Sequence, residues 1–239
     1  MDAHPAVPLT FDAVTTYAPQ HWESHAKRCV ETFAKHWKDI PLRHYTDEQL
    51  VELSPWLGQF KVRHRDLPTH NYRFDAVRFS HKVAAIEQAY FAGSADVLVW
   101  IDADCVTHQD VDAEWLSGML GTASFGYLRR EKKYPECGFM LIRRDAAGRD
   151  FILELVDQYR FDYLFNMQEW HDSWVIDQVR RASHIPSVSL SGDAEHTSHP
   201  LVNGPLGARL DHLKGKRKAE GRSRKSDLIR PRTEAHWNG

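Results

Sequence analysis

The chain has 239 residues, 42% of them apolar, with 8 Trp, 8 Tyr and 11 Phe, which is enough to fill one sizeable core. Its formal net charge of -2 gives no overall field toward one kind of partner, but residues 209–239 hold ten Lys/Arg against four Asp/Glu and leave the remainder acidic. No apolar run approaches the roughly 18 residues of a membrane span, MDAHPAVPLTFDAV lacks the pattern of a signal peptide, and three scattered cysteines without a C-x-x-C pair fit a reducing compartment, so the expectation is a cytoplasmic protein with no membrane span.

In chain order, FDAVTTYA (11–18) reads as a first strand. In residues 21–37, Trp22, Ala26, Val30, Phe33 and Trp37 form a helical stripe. PLRHYT (41–46) reads as a strand and DEQLVELSPWL as a short helix opened by Asp47, with HRDLPTHNYR as loop. Phe79, Val83, Ile86 and Tyr90 mark a helix over 75–91 that Gly93-Ser94 stops. VLVWI (97–101) follows as a continuous apolar run, the pattern of a buried parallel strand. Beyond it, DAEWLSGML reads as helix, TASFGYL and GFMLIRR as strands, DFILELVDQYR and HDSWVIDQVRR as helices, and PSVSL as a strand. The alternation predicts an α/β fold, a mostly parallel sheet flanked by helices. The domain would span residues 8–220, with a basic C-terminal segment over 221–239.

The apolar run at 97–101 ends on Asp102-Ala103-Asp104. Ligands of open α/β sheets bind outside the carboxyl ends of the strands. Two carboxylates on one side of an extended chain repel unless a cation lies between them, and oxygen ligands suit Mg²⁺ or Mn²⁺. The bland reading is one aspartate capping the next helix and one solvated. Near the other end, DHLKGKRK places His212, Gly215 and Lys218 at an H-x-x-G-x-x-K spacing. Imidazole is a third ligand for a metal such as Mn²⁺, glycine lets backbone approach a phosphate, and lysine is a point charge for a diphosphate.

Together, Asp102-Ala103-Asp104 and His212 to Lys218, roughly 110 residues apart, resemble the motif pair of GT-A-fold glycosyltransferases. The closest likeness is to the retaining family 8 that includes glycogenin and bacterial lipopolysaccharide galactosyltransferases. The family's last motif usually continues Lys-Pro-Trp, whereas here Lys218 precedes Ala219-Glu220. The resemblance implies a Rossmann-like GT-A domain and a nucleotide-sugar donor, UDP-linked, with Mn²⁺ or Mg²⁺ held by Asp102, Asp104 and His212. It implies donor contacts from Thr15, Thr16 and Tyr17, with Tyr17 stacking on a uracil, and from Asp102, Gly215 and Lys218. It also implies a basic residue facing the donor, Lys82 first and Arg78 second, and an acidic residue by the reacting carbon, Asp172 before Asp177 and Glu169. Cys137, in the strand ECGFMLI, would line the site or simply pack.

His21 and His25 have a helical zinc spacing but no third ligand, and read as surface residues. His196 and His199 read as loop residues within reach of the site. Neither a G-x-S-x-G elbow nor a P-loop occurs. The basic segment KGKRKAEGRSRK has the composition of a phosphate-backbone footprint. It keeps two rivals open, a glycosyltransferase acting on hydroxymethylated DNA and a nucleic-acid-binding module without catalysis; the paired aspartates on an α/β sheet keep open a third, a metal-dependent nucleotidyltransferase. The acceptor, whether glycan, small molecule or DNA, is not specified by these residues, nor is the oligomeric state.

Overall fold

Val97–Ile101 forms the central strand of the fold, β3, and every one of its side chains is buried. Leu98 and Trp100 join one apolar cluster, and Val97, Val99 and Ile101 join another. A strand buried on both faces needs a cover on each side. The computed structural model describes residues 8–67 and 70–238; residues 1–7, read above for a signal peptide, two residues of the 64–73 loop and residue 239 lie outside those described.

The strands are β1 (Phe11–Tyr17), β2 (Leu42–Thr46), β3, β4 (Cys105–Thr107), β5 (Phe125–Leu128), β6 (Glu136–Arg143), β7 (Ser187–Ser189) and β8 (Leu210–His212). Six of them form one sheet in the order β2-β1-β3-β6-β5-β7. Pairing is parallel throughout except at β6, which runs antiparallel to both β3 and β5. The main helices are α1 (Lys27–His36), α2 (Asp47–Leu53), α3 (Pro55–Arg63), α4 (Ala76–Ala92), α5 (Ala113–Leu120), α6 (Ala146–Arg160) and α7 (Asp172–Ala182). The mostly parallel α/β sheet expected from the alternation is the one observed.

Several local expectations shift. The helical stripe of residues 21–37 becomes a π-turn over Trp22–Ala26 followed by α1. The segment opened by Asp47 is two helices, because Pro55 bars the helical conformation at Ser54 and begins α3 itself. Its N-cap is Thr46, whose side chain and that of Gln49 form a reciprocal capping box.

β4 and β8 form a separate two-stranded antiparallel ribbon, with Cys105 opposite His212 and Val106 opposite Asp211. Neither strand is visible in the periodicity of the sequence. Residues 221–238 lie against the body. The Asp211 carboxylate is fully buried and accepts hydrogen bonds from the Ser223 amide (2.7 Å), the Ser223 hydroxyl (2.6 Å) and His236 (2.9 Å). Trp237 is buried in the second apolar cluster. Among the described residues no helix is long and apolar enough to cross a membrane.

Candidate active site

β3 ends at Ile101, so Asp102 and Asp104 fall at its carboxyl edge. β6 runs the opposite way and pairs Phe139 with Ile101, which brings its first residues, Glu136 to Gly138, to the same edge. The β4–β8 ribbon then delivers His212, and Leu213 donates its amide to the Asp104 carbonyl at 2.9 Å. A cleft of about 790 Å³ opens there, walled by residues from β1, α4, β3, β6, α7 and the chain after β8.

Asp104 Oδ1 stands 3.1 Å from His212 Nε2, and Asp102 Oδ2 stands 3.7 Å from the same nitrogen. Lys218 Nζ is 2.8 Å from Asp104 Oδ2. Asp102 Oδ1 accepts from Trp100 Nε1 at 2.8 Å and pairs with Lys82 Nζ at 2.8 Å. Lys82 also donates to the Cys137 carbonyl at 3.0 Å and, through a short contact, to Asp172. The side chains of the two sequence motifs and of α4 and α7 are therefore linked in one network.

Burial alone would raise the Asp104 carboxyl, but His212 and Lys218 outweigh it and hold Asp104 well below the usual carboxylate range. Burial would likewise raise Asp172, and Lys82 holds it low. For Lys82, burial disfavours the charge, yet Asp102 and Asp172 raise its value above that of an ordinary lysine. For His212, burial works downward and is overridden by Asp104 and Glu136, which raise it to about 10.

Glu136 is a residue the sequence reading missed. Its buried carboxylate faces His212 Nδ1 at 2.7 Å, His199 Nδ1 at 3.3 Å and Lys214 Nζ at 3.0 Å. The contact to Nδ1 leaves Nε2 pointing at Asp104, the carboxylate–histidine arrangement that fixes a ligand ring. The available signal was an acidic residue at the start of an apolar strand, the mirror image of Asp102. His199 gives a further tie, with Nε2 3.1 Å from the His212 carbonyl.

Cis ligands around an octahedral ion bound at about 2.1 Å are separated by about 3 Å, and Asp104 Oδ1 and His212 Nε2, 3.1 Å apart, meet that spacing. Asp102 lies 3.7 Å from the same nitrogen but does not fall with Asp104 and His212 in one group of ligand atoms within 4.8 Å, so its carboxylate would have to turn toward them to share an ion. Carboxylate oxygens suit hard ions such as Mg²⁺ and Mn²⁺, whereas imidazole suits more borderline metals, so this donor set does not by itself select the ion. Cys105 also lies near Asp104 and His212, but burial pushes its thiol far up, so it is held protonated and is a poor ligand. A second group, Glu136, His199 and His212, is already neutralised by Lys214.

The other expected site residues divide. Tyr17, Arg78, Lys82 and Asp172 line the cleft. Tyr17 is anchored through its hydroxyl, 3.0 Å from His44 Nδ1, with its ring centroid 5.3 Å from that of Trp22. Thr15 is fully buried, its hydroxyl has no partner, and it is not on the cleft wall. Its neighbour Thr16 is on that wall, its hydroxyl donating to the Tyr45 carbonyl at 2.9 Å. Gly215 has a φ of +56°, a turn conformation that favours glycine, and lies off the wall. Asp177 lies away from the cleft, tied to Arg180 and Arg181 at 2.8 Å each, and Glu169 to His171 at 2.8 Å. Cys137 both packs and lines the cleft, with burial pushing its thiol up to about 12. His25, expected at the surface, is buried in the cleft wall, where desolvation and Lys218 lower it to about 4.

No family model and no curated protein sequence matches the chain. Solved structures do. A glycosyltransferase involved in glycosylation of the major capsid of PBCV-1 superimposes with a TM-score of 0.55 at 11% identity, covering 89% of this chain and 99% of that one. The fold is that of a glycosyltransferase. The glycosyltransferase GlyE of Streptococcus pneumoniae TIGR4 aligns with a TM-score of 0.50 at 12% identity over 77% of this chain. This chain spans less than half, 46%, of the GlyE chain's length. At such identities the likeness defines the glycosyltransferase fold alone.

Proposed function

We propose that the protein transfers a sugar from a nucleotide-sugar donor, UDP-linked, to an acceptor, in a reaction that depends on Mn²⁺ or Mg²⁺ and retains the anomeric configuration. What supports this reading most is the convergence of Asp104 Oδ1 and His212 Nε2 to 3.1 Å at a strand end inside a cleft of about 790 Å³, a volume within the range of nucleotide-sized sites. Asp102, Asp104 and His212 would hold the ion. When bound, it would stabilise the negative charge that builds on a departing diphosphate.

The chain's own residues would do the rest. Lys218, beside Asp104, presents a fixed positive charge to the diphosphate. Tyr17 offers a ring face for the base. Asp172 remains ionised in a buried position, where a carboxylate can stabilise positive charge at the reacting carbon, and Lys82 fixes its direction. Glu136 holds the His212 ring in register. Family 8 membership is part of this proposal, carried by the two motifs.

The rival use of the basic segment finds less support. Arg217 pairs with Asp227, Arg224 with Glu220, Arg230 with Asp193 and Arg232 with Glu234, which leaves little free charge on these arginines for a phosphate backbone. The test is nucleotide release from UDP-sugars with Mn²⁺, with and without EDTA, for wild type and Asp104→Ala. Metal-dependent UDP release that the variant loses while remaining folded is the expected result. Pyrophosphate release from a nucleoside triphosphate, or full activity in Asp104→Ala, would overturn the proposal.

A further inference from the structure

A second cleft, of about 600 Å³, backs onto the first. The two share helix α7 as a wall and meet where the chain enters β6. Glu136 to Gly138 line the first and Tyr134-Pro135 the second; Asp172 and Ser173 line the first and Trp174, one residue on, the second. Tyr134 stands at the boundary between them, its ring centroid 4.4 Å from that of His171 and its hydroxyl 3.0 Å from the Tyr72 hydroxyl.

The lining of this cleft is basic. Arg130 is structural, its guanidinium donating to the carbonyls of Tyr134 and Pro135 at 2.9 and 3.1 Å. Arg73 pairs with Glu169, Arg129 with Glu195, and Arg180 and Arg181 share the single carboxylate of Asp177. Lys132 and Lys133 are exposed, and no described carboxylate lies within ion-pair distance of either. Even counting Glu131, seven cations meet four carboxylates, which leaves a surplus of three positive charges. Apart from Pro135 and Gln178, the rest of the wall is aromatic, with Tyr72, Tyr127, Tyr134 and Trp174. Aromatic faces attract the polarised C–H bonds of a sugar ring.

We propose that this cleft is the acceptor subsite and that the acceptor is a phosphorylated sugar. Lys132, Lys133 and the unshared side of Arg181 take its phosphate, and Tyr72, Tyr134 and Trp174 its ring. The inference rests on the glycosyl-transfer reading above. In the transfer, a bond forms between an acceptor hydroxyl oxygen and the donor's anomeric carbon. The bond from that carbon to the phosphate oxygen breaks, its electron pair leaves with the nucleoside diphosphate, and the hydroxyl proton departs on that diphosphate. A surplus of three charges suits a dianionic phosphate better than a single carboxylate. A concave cleft with aromatic walls suits a sugar better than the convex backbone of duplex DNA.

The experiment titrates glucose 6-phosphate, glucose, glucuronate, inorganic phosphate and a short DNA duplex into the full chain saturated with UDP and Mn²⁺. Glucose 6-phosphate is expected to bind more tightly than each of the others. Two surface charge pairs are worth about tenfold together, the loss expected in Lys132→Ala/Lys133→Ala, with Mn²⁺–UDP affinity retained. Equal binding of glucose and glucose 6-phosphate, indifference to the double variant, equal binding of inorganic phosphate, or preference for glucuronate or the duplex would each overturn the proposal. Lysine-dependent binding of glucose 6-phosphate by a chain that fails to bind Mn²⁺–UDP would instead sink the donor reading and leave this cleft as a phosphosugar site.

Discussion

Adding one methyl group at Gly138 should disconnect His212 from Asp104. A Cβ built on Gly138 would lie 2.6 Å from His212 Cε1 and 2.7 Å from Nδ1. Ordinary contact begins near 3.4 Å, so the ring must recede by about 0.8 Å. It cannot swing freely, because Glu136 grips Nδ1 at 2.7 Å and the backbone is paired in the β4–β8 ribbon. Metal-ligand distances tolerate only about 0.2 Å, so Gly138→Ala is expected to weaken Mn²⁺ binding by about 100-fold, the scale of a lost supporting interaction. The overpacking itself should cost about 1–3 kcal/mol of stability, short of unfolding the chain. Electron paramagnetic resonance of free Mn²⁺ measures the first effect and thermal melting the second. Gly118→Ala is the control, since a Cβ there meets nothing within 4 Å. Wild-type Mn²⁺ affinity in Gly138→Ala would refute the inference that His212 is held in place to coordinate.

Removing Lys82 leaves the buried Asp172 with only the Ser173 amide at 2.8 Å and His171 at 3.9 Å, so Lys82→Met should lose about 3 kcal/mol in chemical denaturation, and Lys82→Met/Asp172→Asn should recover much of it. A single variant as stable as wild type would show that the pair is not what holds Asp172. Trp237 is 4% exposed and donates its indole N–H to the Gly207 carbonyl at 3.0 Å. Trp237→Ala should cost about 3–5 kcal/mol, and a negligible change would mean that the C-terminal segment is not docked. His108 is lowered to about 4 by burial and by His236, stacked 4.2 Å away, with Asp211 opposing. Between that value and the ordinary 6.5 the unfolded chain binds a proton the folded chain refuses. This contribution to stability is complete above pH 6.5 and disappears as pH falls toward 4, so melting temperatures should decline through that window, and less steeply in His108→Asn.

Long periodic segments could be read directly. The apolar run of β3 and the stripe of α4 predicted their own burial, because hydrophobic spacing records which faces meet the core. The two strands that join the motifs could not. Each has three residues, too few to show alternation, and their pairing is a tertiary fact. The reversal of β6 is equally silent, since an apolar strand reads the same in either direction; with it Glu136 stayed hidden as a polar residue before a strand. Thr15 against Thr16 turned on one position of parity, which in a strand decides between core and cleft. The expectation for His25 failed where periodicity assumed a regular helix and the chain instead forms a π-turn over Trp22–Ala26.

The account depends on Asp104 and His212 sharing one ion. The direct test is a crystal of the full chain grown with UDP and Mn²⁺, with anomalous scattering recorded from the manganese. One peak within coordination distance of Asp104, His212 and the UDP diphosphate is predicted. UDP bound with no peak there, or a peak elsewhere while Asp104 and His212 stay paired to each other, would contradict it.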